Sequence, residues 1–143
     1  MPAIQFFEED ISFKLKKKTG VRQWVIDTLA AEGFKLKELN YIFCSDAYLL
    51  QINQQYLDHD TYTDIVTFDN SEVDGVIVGD IFISIERIRE NAQKFEQTEI
   101  DELHRVIIHG ALHLAGYTDK TADDKKKMTQ KEDFYLSKRI INK

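Results

Sequence analysis

Two apolar stretches dominate the sequence, Gly75 to Ile85 and Val106 to Leu114, and each is interrupted by groups that hydrocarbon does not tolerate. Asp80 breaks the first; His109 and His113 break the second. Neither reaches the roughly 20 apolar residues of a membrane-spanning helix, so both are expected inside protein and no membrane partner is expected. The rest of the chain has the composition for such an interior. Of its 143 residues 43% are apolar and 31% charged, with one proline, which excludes the disordered and fibrous classes. At this length roughly 68–70% of the unfolded surface can be buried, so no disulfide or metal is needed as a staple. Cys44 is the lone cysteine and lies in the apolar run Tyr41–Cys44, which predicts a buried, inert thiol and fits a reducing compartment. Met1 to Phe13 carries Glu8, Glu9 and Asp10 where an export signal has a basic start and an apolar centre, and a cytoplasmic protein is expected.

Apolar spacing sets out the elements. A strand is expected over Ile4–Phe7, then a helix through Val21, Trp24, Val25, Thr28 and Leu29 that stops at Gly33. Leu39, Tyr41 and Phe43 alternate with Asn40, Ile42 and Cys44 in a second strand, and Ser45 caps a helix carrying Leu49, Ile52 and Tyr56. A polar loop, Leu57 to Asp64, leads to two strands rich in β-branched residues, Ile65–Phe68 and Val76–Ser84, joined by a turn over Asp69–Gly75. Helices follow over Ile85–Phe95, from Thr98 to near Gly116, and over Asp123–Ile141, the last with Met128, Phe134, Leu136 and Ile140 as apolar contacts. Thr98 and Asp101 have the spacing of a capping box. Without strict βαβ alternation, the pattern predicts one α+β domain over residues 1–143, a mixed sheet of about four strands flanked by about five helices.

The formal net charge of −6 argues against coating nucleic acid through bulk electrostatics. A local basic site is still available. Lys14, Lys16, Lys17, Lys18 and Arg22 follow one another with no acidic residue between them, whereas Asp123 and Asp124 interrupt the lysines of Lys120–Lys131. The first cluster is the candidate RNA contact; a solvated loop and helix start is the alternative.

The segment His109–Asp119 carries the chemistry. Imidazoles four residues apart on a helix lie about 40 degrees apart around its axis and one turn along it, so both reach one ion. Gly116 suits the left-handed conformation that ends a helix, and Asp119 arrives three residues later as a third ligand. This H-x3-H-x2-G-x2-D spacing is zincin-like: three protein ligands leave a fourth position to water. A closed structural metal site, or two polar residues capping a core face, are the competing readings. Position 110 is Gly where zinc peptidases of the H-E-x-x-H type carry a glutamate base, which weakens a peptidase assignment. His104, about 140 degrees around the helix from His109, is expected to pack or face solvent rather than bind the ion.

The same segment, HGALHLAGYTD, resembles the pattern H-G-x-L-H-L-x-G-Y-D-H of the YbeY family and departs from it only at Thr118 and Asp119. Asn53 and Tyr56 match its N-x-x-Y, Thr63–Phe68 is similar to its T-D-V-L-S-F, and Gly79–Ser84 is similar to its G-D-I-x-I-S. These matches keep the family order from about Ser45 to Asp119. The resemblance implies a zinc-dependent endoribonuclease acting on single-stranded ribosomal RNA or its precursors, in rRNA maturation and ribosome quality control, with the small ribosomal subunit or its proteins as partner. It implies metal ligation by His109, His113 and Asp119, the last standing for a histidine; carboxylate suits zinc and admits other divalent ions. It brings the strands of Asp64 and Asp80 near the metal, as groups that orient the ligands or accept a proton, or else as turn and strand-end residues. Leu57 stands where the family has an arginine, so phosphate recognition by that guanidinium is lost. His59 replaces a lysine, either to contact phosphate when protonated or as an exposed loop residue, and Tyr62 replaces a proline. Tyr56, Tyr62 and Tyr117 are candidates for base stacking or for the core rim. Two other functions compete: a ribosome assembly factor with little turnover, and a zincin-like hydrolase of another substrate.

Overall fold

The computed structural model describes residues 3–57 and 63–141. In chain order the elements are β1 (Ile4–Glu9), α1 (Lys18–Ala31), β2 (Lys35–Cys44), α2 (Asp46–Leu57), β3 (Ile65–Asp69), β4 (Val76–Ser84), α3 (Ile85–Lys94), α4 (Glu99–Leu114) and α5 (Ala122–Ser137). The strands form one sheet in the order β1-β2-β4-β3, with β1, β2 and β4 parallel and β3 antiparallel to β4. This is the mixed four-stranded α+β arrangement that the missing βαβ alternation predicts. No helix among the described residues is long and apolar enough to cross a membrane.

Strand pleating divides the sheet residues between two faces. Ile4, Leu39, Tyr41, Phe43, Ile77, Ile81 and Ile83 are buried in the main core, which α1, α3, α4 and α5 complete. On the other face α2 packs Leu49, Tyr48 and Ile52 around Cys44, Val66, Phe68 and Phe82. Burial pushes the Cys44 thiol up to about 12, which keeps it protonated and inert.

Helix α4 is the most deeply buried of the helices. Leu103, Val106, Ile107, Ile108, Ala111 and Leu112 are all in the core, and the Tyr41 hydroxyl donates to the Ile107 carbonyl at 2.8 Å. Its start follows the capping box: the Thr98 hydroxyl accepts the Asp101 N–H at 3.1 Å. Its closest approach to the sheet is at Gly110, where a Cβ would stand 2.9 Å from Ile81 Cδ1 and 3.0 Å from both Ile65 Cδ1 and Ile81 Cγ2. The residue between the two histidines therefore faces the sheet, and a glutamate there has neither room nor solvent.

Two expected element boundaries change. Helix α5 stops at Ser137 rather than Ile141, and its buried stripe is Met128, Glu132 and Tyr135. Phe134 is 50% exposed, because the 4–3 spacing of that stripe turns neighbouring positions outward, and Ile140, beyond the end of the helix, is 77% exposed. Strand β2 begins at Lys35, four residues before the expected alternation, because β4 supplies hydrogen-bonding partners as far as Val76, across a register shift between Leu36 and Glu38.

Replacing Gly110 with glutamate should not install a base. Overpacking Ile65 and Ile81 and burying an unpaired carboxylate should destabilise the fold by at least about 3 kcal/mol, read as a drop in urea midpoint.

Candidate metal centre

His109 and His113 stand one turn apart on the last stretch of α4, with ring centroids 4.7 Å apart. The helix ends at Leu114, and Gly116 turns the chain with φ +103°, a conformation that disfavours any Cβ. The turn returns Asp119 so that a single atom, Oδ2, lies 3.6 Å from Nε2 of His109 and 3.6 Å from Nε2 of His113. All three ligand atoms fall within 4.8 Å of one another. Bonds of about 2.0–2.1 Å in a tetrahedral zinc site place donors about 3.4 Å apart, so this set fits such an ion. The side chains grade outward, from 19% exposed at His109 to 26% at His113 and 45% at Asp119. The cluster opens into a cleft of about 710 Å³ whose walls include Asp64, Glu102 and Arg105.

A third element orients the first imidazole. His109 Nδ1–H donates to Glu132 Oε2 at 2.6 Å, while Arg105 Nη1 donates to Glu132 Oε1 at 2.8 Å and Arg105 Nη2 to Asp133 at 2.6 Å. A carboxylate can only accept, so the proton sits on Nδ1 and the Nε2 lone pair is presented on the Asp119 side. Burial opposes charge on His109, but Glu132, helped by Asp119 and Asp64, raises the imidazole above its ordinary value. His113 moves the other way, lowered by burial and by the neighbouring His109.

Glu132 is absent from the candidates read in the sequence. Its signal is a carboxylate in the buried stripe of α5, four residues after Met128 and three before Tyr135. The loop that carries Asp119 is braced in the same way. The Tyr117 hydroxyl donates to Glu32 Oε1 at 2.6 Å, and Glu32 also accepts from Tyr135 and from Lys131 at 3.2 Å. Thr118 donates to Asp124 at 2.8 Å on the α5 side. Tyr117 is thus bound within the protein rather than free to stack, whereas Tyr56 is 65% exposed with its ring on the edge of Phe68.

The other candidates separate. Asp64 lines the cleft with His109, and burial raises its pKa although the His109 charge pulls it down. Glu102 lines the same cleft, raised by burial and by Asp64. Asp80 is not with them: on β4 it alternates with Ile81, which faces α4, so Asp80 points to the opposite face and accepts from Asn40 at 3.0 Å and Asn70 at 3.3 Å. That corrects the expectation drawn from its strand. His59 and Tyr62 lie outside the described residues, and Leu57 closes α2. Lys14, Lys16, Lys17 and Lys18 are exposed, and the first three line a different cavity. Arg22 is engaged elsewhere, its Nε–H donating to the Ile4 carbonyl at 2.9 Å and its guanidinium over Phe6. His104 is the packing histidine expected, buried beside Trp24 and held down to about 4 by burial.

Metal and proton compete for His109. In the metal-free chain the His109–Glu132 pair contributes stability that is full below the ordinary imidazole value of 6.5 and is lost as pH rises through the raised folded value. Metal affinity should rise across that window, with proton release detectable by calorimetry in buffers of different ionisation enthalpy. Glu132→Gln should bind metal about 10–100-fold more weakly at alkaline pH and shift the midpoint of the pH dependence downward.

A sequence model of the family described as endoribonuclease YbeY matches residues 3–139. An endoribonuclease YbeY of Cytophaga hutchinsonii is 56% identical over 136 residues, covering 95% of each chain. That of Flavobacterium psychrophilum is 50% identical over 127 residues, covering 89% of this chain and 90% of its own. Among solved structures, the solution structure of TM1509 from Thermotoga maritima superposes with a TM-score of 0.67 at 28% identity, over 94% of this chain and 87% of its own. The extent of these matches, on top of the fold and the histidine helix, makes this chain a member of the YbeY family.

Proposed function

We propose that the chain is an endoribonuclease that hydrolyses phosphodiester bonds of single-stranded RNA with a divalent ion, zinc, held by His109, His113 and Asp119. Its substrate is ribosomal RNA or its precursors, met on the small ribosomal subunit, in the cytoplasm. The relatives that share half or more of its residues carry the endoribonuclease name. The observation that carries the reading is the position of Asp119 Oδ2, equally distant from two imidazoles whose free side opens on a wide cleft. Two nitrogens and one oxygen are donors that zinc accepts, and three protein ligands are the number found in catalytic rather than closed sites. When bound, the ion lowers the pKa of a coordinated water and withdraws charge from a phosphoryl oxygen.

The chain's own residues supply the rest. Glu132 holds His109 in the ligating tautomer. Asp64, raised by burial on the cleft wall, is the group that takes up a proton during hydrolysis and returns it to the leaving oxygen. Gly110 rules out the peptidase glutamate on steric grounds, which supports phosphodiester over peptide chemistry. Two cations line the cleft among the described residues: Arg105, tied to two carboxylates, and the exposed Lys125, which we assign to the substrate phosphate. Asp80, hydrogen-bonded on the far face, has no part in the chemistry.

Purified chain should contain near-stoichiometric metal, and His113→Ala should lose cleavage of single-stranded RNA by more than about a hundredfold, beyond the usual effect of removing a supporting group. Added zinc should restore chelated wild type and leave the variant inactive. A folded, metal-loaded wild-type chain that binds RNA without cutting it would make it an assembly factor instead.

A further inference from the structure

The metal cleft holds little that attracts a polyanion. Asp64, Glu102, Asp119 and Glu132 line it, and of its two cations Arg105 is already paired with Glu132 and Asp133. With a net charge of −6, the chain as a whole repels RNA as well. Affinity for a strand has to come from a part of the surface where positive charge is left unspent.

Such a place exists on the other side of α4. The segment before α1 buries Leu15 and leaves Lys14, Lys16 and Lys17 exposed around a cavity of about 400 Å³. Phe13, Leu15, Ile85, Ile88 and Leu103 make its walls apolar. Arg89 and Glu99 also line it and are paired with each other at 3.8 Å, so the three lysines carry its charge. No ion pair engages those lysines among the described residues. His104 completes the lining: its Nδ1 accepts from Arg139 at 2.9 Å, because a guanidinium only donates, so the hydrogen of the neutral ring is on Nε2. That Nε2 is buried and has no partner.

We propose that this cavity takes an unpaired nucleobase of the RNA, with the phosphates on either side held by Lys14, Lys16 and Lys17, as an anchoring site separate from the metal cleft. The inference rests on the RNA reading above. A ligand that was only anionic would not use the apolar walls, and one that was only apolar would not use the lysines; a base joined to phosphates uses both. Glu99, Ile100, Leu103 and His104 of α4 face this cavity, while Glu102, Arg105, Val106 and His109 face the cleft. Leu103 and His113 are ten residues apart, about 15 Å along the helix axis, so the anchored base and the scissile bond belong to one strand a few nucleotides apart.

The test is fluorescence anisotropy of a labelled single-stranded oligoribonucleotide on the full chain, chelated so that nothing is cut. The Lys14→Glu/Lys16→Glu variant, whose changes lie on exposed side chains, should bind about tenfold or more weakly and lower the slope of log affinity against log salt by about two. Ile100→Trp, which fills the cavity mouth, should weaken binding of the natural strand and leave binding of an abasic strand unchanged. Wild-type affinity in the charge variant, or equal wild-type affinity for natural and abasic strands, would overturn the proposal. Parallel cleavage assays separate it from the function it rests on. Lysine-dependent binding by a wild type that cuts nothing refutes the nuclease reading alone, and cleavage by both proteins with equal affinity refutes the anchoring site alone.

Discussion

The seat of α4 against the sheet at Gly110 governs the rest of the molecule. With only a hydrogen at that position, the helix backbone settles onto Ile81 and Ile65, and residues 109 and 113 then turn toward the cleft rather than the core. A buried carboxylate is costly unless each of its oxygens is satisfied, and Glu132 meets that condition because the seated helix offers Arg105 to one oxygen and His109 to the other. The Arg105–Glu132–His109 chain therefore depends on how close α4 lies to α5, and the direction of the Nε2 lone pair depends on that chain.

Local signals were the ones legible in the sequence. The strand alternation through Leu39, Tyr41 and Phe43, the Thr98 cap and the histidine spacing each depend on neighbours within a turn or a pleat, and each is found in the structure. Pairing across the chain was not legible. Glu132 reaches His109 over 23 residues and Glu32 reaches Tyr117 over 85, and neither separation leaves a periodic trace. Asp80 shows the limit from the other side. Its strand lies beneath the metal helix, as the resemblance implied, but strand position does not determine side-chain direction, and the pleat sends Asp80 to the far face beside Asn40.

The basic cluster divides for a related reason. Contiguity in sequence suggested one surface, yet Lys17 adopts a left-handed conformation with φ 58° just before α1, so the residues before and after it leave in different directions. Lys14 and Lys16 line the apolar cavity with Lys17, whereas Arg22 lies one turn inside the helix and is spent on the Ile4 carbonyl and the Phe6 ring. A charge run counts positive residues; backbone geometry decides how many of them face the same ligand.

Among the described residues the cleft holds Arg105, which is paired, and Lys125, and keeping the proposed anchor lysines out of it has a physical advantage. Further lysines beside Lys125 in the cleft would pair with Asp64, Glu102 and Asp119 at short range in a partly desolvated space, and the pairs would hold the carboxylates ionised. A divalent ion would then compete with fixed ammonium groups for Asp119, and the added positive charge would counter the burial that raises the Asp64 carboxyl. The proposed anchor, with its free lysines on the other flank of α4, would attract a strand without adding charge among those carboxylates. The two linings share no residue: Glu99, Ile100, Leu103 and His104 face the lysines while Glu102, Arg105, Val106 and His109 face the cleft, so α4 itself stands between the two fields.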